Sequence, residues 1–288
     1  MEIKKVGVVG CGLMGRGIAQ VCAQSGYHVV VSEINDALLN KGMASIGSRL
    51  ARDVDKGKLS TEDKDSALSR IKGTTNTKDF SDCDLIIEAI IENMDLKKKI
   101  FAELDKICPK DTVLATNTSV LSVIDIATAT ARPDKVLGLH FFNPAPIMQL
   151  VEVVKTIATS EDTLGIAIEF VKSLGKTAIV AKDTPGFVVN RLLEPFLFNA
   201  IRMLEAGVAT RDDIDAAVTL GLNHPVGPLR LLDFIGLDTV YFGAIDMYEE
   251  FKEPQYAPPI LLRKMVTAGW LGRKTGKGFY DYDKPTPE

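Results

Sequence analysis

Cysteine is sparse in this chain. Cys11, Cys22, Cys83 and Cys108 are the only four in 288 residues. None forms a C-x-x-C pair, and no cysteine–histidine group has zinc spacing, so no metal site is expected and four reduced thiols are. Positive charge is also in short supply, with 34 Lys and Arg against 38 Asp and Glu for a net charge of −4. Counterion-driven nucleic-acid binding needs a concentrated basic face, so no nucleic-acid partner is expected. An anionic small molecule needs only a few local cations. No apolar run approaches the ~20 residues of a membrane-spanning helix. A strand-like run begins almost at Met1 with no signal peptide before it, and a cytoplasmic protein with no membrane partner is the expectation. Internal repeats and low-complexity tracts are also missing.

What is present is an ordinary globular composition, 46% hydrophobic and 25% charged, in a length that suits two domains. Strand-like runs at Val6–Val9, His28–Ser32, Leu85–Ala89, Val113–Thr116, Val136–Phe141, Leu150–Val154 and Thr177–Val180 alternate with helical patterns. These include Gly12–Gln24, Asp36–Lys56, Thr61–Ser69, Leu96–Ile107 and Asp162–Leu174. Such alternation predicts an α/β fold with a Rossmann-type, doubly wound, mostly parallel sheet. Pro185-Gly186 punctuates the chain, and beyond it only helical patterns occur, at Phe187–Ala206, Arg211–Leu220, Thr239–Phe251 and Pro259–Ala268. The expected domains are therefore 1–184, α/β, and 185–288, all-helical.

Gly10-Cys11-Gly12-Leu13-Met14-Gly15 fits G-x-G-x-x-G between the first strand and the first helix, the context in which it binds a dinucleotide. Gly10 permits the turn, Gly12 lets a diphosphate approach, and Gly15 allows close helix packing. The helix N-terminus adds free N–H groups and a positive dipole. Glu33, at the end of the second strand, is placed to accept from ribose hydroxyls. Its charge opposes a 2′-phosphate, and Ile34 and Asn35 follow it without a cation, which favours NAD and leaves NADP open.

Three histidines occur. His28 sits in a strand and is expected to be structural, and His224, in a His-Pro turn, is expected to be structural or peripheral. His140 ends a strand, where open α/β sheets bind ligands. An imidazole there suits proton exchange with an alcohol near neutral pH.

Seven segments, GCGLMGRGIAQ, IIEAIIENMDLKKKIFAELD, ATNTSVLS, GLHFFNPAPIMQLVEVV, KDTPGFVVNRLL, HPVGPLRLLDFIGLD and GRKTGKGFYDY, run the length of the chain. In them the chain resembles the 3-hydroxyacyl-CoA dehydrogenase family, and within it the bacterial 3-hydroxybutyryl-CoA dehydrogenases. The resemblance implies that His140 is the catalytic histidine and Glu152 its carboxylate partner. It implies that Ser119 and Asn190 are substrate-side polar groups, and that Glu92, Lys97, Asn143 and Lys274, with Ser119, frame an NAD site. It also implies the (S) alcohol, a 3-hydroxyacyl-CoA or 3-oxoacyl-CoA substrate, and a homodimer built through the helical domain. Read without it, Ser119 is an N-cap for a helix over Val120–Ala127, Asn190 a polar residue in a first helical turn, Asn143 a turn residue, Lys97 a solvated helix charge and Lys274 a free surface charge. Glu152, alone in an apolar strand, needs a partner on either reading.

Arg49, Arg52 and Lys56 fall at i, i+3 and i+7 of one predicted helix, a cationic face that suits the phosphates of coenzyme A. Asp53 and Asp55 interrupt it, as they would an ordinary solvated face. Two other functions stay open at this point: a sister dehydrogenase of the same fold acting on a free hydroxy acid or sugar acid, and an NAD-binding protein without catalysis.

Overall fold

Short apolar runs bounded by glycine or by a polar cap form the strands of the first unit. The structure, a computed structural model, describes residues 2–283. The chain divides into two compact units between Thr184 and Pro185. In the first, β1 (Lys5–Val9), β2 (His28–Ser32), β3 (Ile71–Thr74), β4 (Leu85–Glu88), β5 (Val113–Thr116), β6 (Val136–Phe141), β7 (Leu150–Lys155) and β8 (Thr177–Lys182) form one sheet. Their order is β3-β2-β1-β4-β5-β6-β7-β8. The six strands β3 to β6 in that order are parallel, β7 is antiparallel to β6, and β8 is parallel to β7. This is the doubly wound, mostly parallel sheet that the alternating sequence predicts. The order reverses at β1, so β1 and β4 open the crevice in which such sheets bind ligands.

The helices of this unit are α1 (Leu13–Gln24), α2 (Asp36–Asp55), α3 (Thr61–Ser69), α4 (Met94–Ile107), α5 (Val123–Ala127) and α6 (Glu161–Ser173). Asn35, Ser60, Asn93, Ser122 and Ser160 cap α2 to α6, each accepting from a backbone N–H three residues on. Gly12 opens α1 with no side-chain cap. The sheet is buried by alternation: Leu137, Leu139, Phe141, Val151 and Val153 join one core with Val6, Val8 and Ile18. Each such fully buried side chain contributes about 1.5–3 kcal/mol. Gly138 and His140 face the other side. A Cβ at Gly138 would lie 2.8 Å from Val154 Cβ, so glycine there admits Val154.

Three local expectations change. β3 does not stand out in the sequence, because Ile71-Lys72-Gly73-Thr74 is too short to show alternation. α5 begins at Val123 with Ser122 as its cap, so Ser119 is not an N-cap. α2 stops at Asp55, and Lys56 is its C-cap residue.

The second unit contains α7 (Val189–Glu205), α8 (Arg211–Gly221), α9 (Pro228–Ile235), α10 (Leu237–Phe251) and α11 (Ile260–Thr267). Leu197, Phe198, Ile201, Leu229, Leu232, Leu237 and Leu262 are central to its core. α9 is absent from the helical patterns read in the sequence, and Pro228 occupies its first turn, a position proline favours. After α11 the chain folds back on α9. Asp233, buried in that helix, accepts from Phe279 N (2.8 Å), Tyr280 N (2.9 Å) and the Tyr282 hydroxyl (3.0 Å). No helix of the described residues is long and apolar enough to cross a membrane.

Candidate active site

The glycine loop leaves β1 and enters α1 at the crevice. Gly10 has φ +97°, and a Cβ there would sit 2.8 Å from the Ala89 carbonyl oxygen. At Gly15 a Cβ would lie 1.8 Å from the Gly10 carbonyl oxygen, so only glycine closes the helix on the loop. Gly12 has nothing within 4 Å of its Cβ position. Open space at Gly12 beside an uncapped helix N-terminus fits an approaching diphosphate. Leu13 is 44% exposed and Met14 packs partly on the core. Glu33, just past β2, accepts Cys11 N at 2.9 Å and Ile34 N at 2.8 Å, which fixes its carboxylate against the loop. These residues fit a dinucleotide with a free ribose diol.

A second cluster stands at the ends of β4 and β5. Lys97 is 1% exposed and lies 2.7 Å from Glu88 Oε1 and 3.2 Å from Glu92 Oε2. It is therefore a buried, doubly paired cation and not a solvated helix charge. Glu88 also accepts from Ile90 N and the Thr116 hydroxyl, both at 2.7 Å. Glu92 in turn accepts from the Thr118 hydroxyl and from Ser119 N at 3.1 Å. The chain of contacts Glu88–Lys97–Glu92 thus fixes the backbone at Ser119. Glu88 and Thr118 escaped the sequence reading. The signal for Glu88 was the one that marked Glu152, a lone acid in an apolar strand.

β6 and β7 bring the third cluster together. Their antiparallel register sets His140 directly opposite Glu152, on one face of the sheet. His140 Nδ1 lies 2.7 Å from Glu152 Oε2, with the residues 6% and 0% exposed. The imidazole stacks at a tilt on Phe142, with ring centroids 4.5 Å apart. Asn117 Oδ1 accepts Phe141 N at 2.9 Å and ties the end of β6 to the segment that carries Ser119. Asn143 is exposed on the loop beyond β6 and is joined to Pro144 by a cis bond. Lys176, which sequence reading passed over, anchors this loop by donating to the carbonyls of Ala145 (2.8 Å) and Met148 (2.6 Å).

The remaining sequence candidates lie elsewhere. Asn190 is half-buried in the first turn of α7, in the second unit. Lys274, in that same unit, pairs with Asp238 at 2.7 Å and is not a free surface charge. Arg49 pairs loosely with Asp53 at 3.6 Å, and Arg52 Nε donates to the Ser48 carbonyl. Both arginines line a small cleft beside α1, and Lys56 is not among its lining residues. His28 and His224 are exposed, and His224 rests near the Phe196 ring. Among the described residues no cluster of His, Cys, Asp and Glu could hold a metal ion.

Comparison with known proteins accounts for nearly the whole chain. Residues 5–184 match the NAD-binding domain of 3-hydroxyacyl-CoA dehydrogenase, and residues 186–282 match the C-terminal domain of the same enzyme. The 3-hydroxybutyryl-CoA dehydrogenase of Mycobacterium tuberculosis is 50% identical over 282 residues, covering 97% of this chain and 99% of its own length. The probable 3-hydroxybutyryl-CoA dehydrogenase of Bacillus subtilis is 45% identical, covering 99% and 100%. The crystal structure of (S)-3-hydroxybutyryl-CoA dehydrogenase PaaH1 from Ralstonia eutropha superposes with a TM-score of 0.96 at 47% identity, over 98% of this chain and 100% of that one. With the glycine loop, the fold and both domain matches in agreement, the chain belongs to the 3-hydroxyacyl-CoA dehydrogenase family, and its first unit is an NAD-binding domain.

Proposed function

We propose that this protein interconverts (S)-3-hydroxybutyryl-CoA and acetoacetyl-CoA, with His140 and Glu152 as its acid–base pair. The observation that carries the proposal is the 2.7 Å contact between these two buried side chains at the ligand-binding end of an NAD-binding sheet. The names of the relatives support the short acyl chain. NAD, when bound, supplies the hydride acceptor. In the oxidative direction His140 takes the proton of the C3 hydroxyl. Glu152 holds the imidazole tautomer and stabilises the imidazolium that results, as the aspartate does in a hydrolase triad. In reverse, the imidazolium returns that proton to the C3 oxygen. Ser119 and Asn190 hold the thioester carbonyl and the C3 oxygen. The bound Glu33 carboxylate favours NAD over NADP by charge repulsion of a 2′-phosphate.

Steady-state kinetics test the reading. NADH and NADPH are compared in parallel, with acetoacetyl-CoA, longer 3-oxoacyl-CoA thioesters and free acetoacetate as substrates. The expected result is turnover of acetoacetyl-CoA with NADH and little of the free acid. Equal turnover of acetoacetate would point to a hydroxy-acid dehydrogenase of the same fold. NADH binding without turnover of any of them would mean a cofactor-binding protein without this chemistry. His140→Gln should lower turnover by ~10²–10⁴-fold, while NADH affinity, read by fluorescence titration, changes little. Near-normal turnover in that variant would sink the acid–base assignment.

A further inference from the structure

Parallel pairing with β5 stops short of the end of β6. The last paired residues are Thr116 and Gly138, so Leu139, His140 and Phe141 run on past β5. Phe141 is buried, and a buried backbone N–H needs an acceptor. Asn117, the first residue after β5, supplies it. Its side-chain Oδ1 accepts Phe141 N at 2.9 Å. Its own backbone N donates to the Glu88 carbonyl at 2.8 Å. One residue thus joins the ends of β4, β5 and β6, at the edge where open α/β sheets bind ligands.

The position of this bond sets it apart from an ordinary strand-end tie. Phe141 N belongs to the peptide unit that follows the His140 Cα, so the bond fixes the backbone next to the imidazole. Ser119 follows Asn117 in the short segment Asn117-Thr118-Ser119. Other contacts hold these two groups one at a time. Glu152 Oε2 lies 2.7 Å from His140 Nδ1, and Glu92 Oε1 accepts Ser119 N at 3.1 Å. The bond from Asn117 to Phe141 runs from one segment to the other. Proton transfer between a base and a held substrate tolerates little error, and a misplacement of about 1 Å can cost ~10²-fold in rate.

From these observations we infer that Asn117 is a positioning residue for the reaction, holding His140 in register with the segment that carries Ser119. The inference rests on the proposed acid–base pair and adds a group that acts through His140. It assigns the role to the acceptor oxygen, because the partner is an N–H.

The test compares wild type, Asn117→Ala, Asn117→Asp, His140→Gln and the double variant Asn117→Ala/His140→Gln, with acetoacetyl-CoA and NADH. Saturable NADH binding, read by fluorescence titration, shows that each protein is folded, and single-turnover NADH oxidation at high enzyme concentration keeps the slow variants measurable. Asn117→Ala should lower kcat by about 10²-fold, with a much smaller change in KM for acetoacetyl-CoA. Asn117→Asp keeps an acceptor of the same shape, and a carboxylate accepts a backbone N–H at least as well as an amide does. It should recover most of the loss. On the His140→Gln background, Asn117→Ala should cost no more than about twofold further, because residues that act as a unit are not additive. A purely structural tie would weaken both backgrounds alike. The full loss repeated on the His140→Gln background, an Asn117→Asp no better than Asn117→Ala, or near-normal turnover in Asn117→Ala each overturns the inference alone. Wild type that fails to turn over acetoacetyl-CoA, or His140→Gln at near-normal turnover, would instead defeat the proposed function, so the two failures are distinct.

Discussion

At the scale of single residues, burial decides which charges are chemistry and which are liabilities. Glu194 on α7 is buried, its Oε2 has no hydrogen-bond partner among the described residues, and burial with the nearby Asp246 pushes its carboxyl up to about 8. In the unfolded chain the same group titrates near ~4.3. Between these values the native state binds the extra proton, so stability is full below the lower value and falls as pH rises through the upper one. Glu194→Gln should therefore raise the melting temperature at pH 8 and leave it little changed at pH 4, by an amount equivalent to a few kcal/mol at most. Thermal unfolding across that range checks it, and a parallel shift at both pH values would contradict it. Lys97 shows the opposite outcome of burial, with two carboxylates in place to receive it. From sequence it is one of three consecutive lysines, and nothing local says which of Lys97, Lys98 and Lys99 turns inward. His140 was easier to read, because a strand end and a family motif coincide there. Its contact with Glu152 was legible only through the family.

At the scale of elements, patterns of period two and 3.6 carried most of the fold, and the exceptions were short or glycine-bearing. β3 has four residues, one of them glycine, and is recognised only once β2 lies beside it. The reversal of β7 relative to β6 was equally silent, since an apolar run has no direction in sequence. The tail after α11 has no periodicity either, and its order comes from single contacts. Asp233 holds Phe279, Tyr280 and Tyr282, and a Cβ at Gly278 would come within 1.9 Å of its Oδ1. Asp233→Ala leaves two backbone N–H groups without their acceptor, at about 1–3 kcal/mol each where they stay buried. The expected outcome is a lower midpoint in urea and faster proteolytic clipping after residue 270. Unchanged cleavage would mean that the tail is held by other contacts. Lys274 lies in this tail, so the same substitution tests whether its pairing with Asp238 depends on the staple.

At the scale of the whole molecule, the change of composition at Pro185-Gly186 coincides with the division between the two units. Leu192, Leu220, Leu222, Phe234 and Phe242 of the second unit are all more than half exposed. Single exposed apolar residues are ordinary, but this many on one small helical unit suit an association surface. A homodimer is the expected state, and light scattering should return the mass of two chains at micromolar concentration. A single-chain mass would refute it. The antiparallel ladder of β6 and β7 bears on how this catalyst can diverge. His140 and Glu152 are cross-strand neighbours, so the sheet sets their spacing, and residues 142–149 that join the strands do not. That connecting segment can change its length or its side chains while the proposed acid–base pair stays in register. The segment can therefore drift, or be redesigned, without moving His140 away from Glu152.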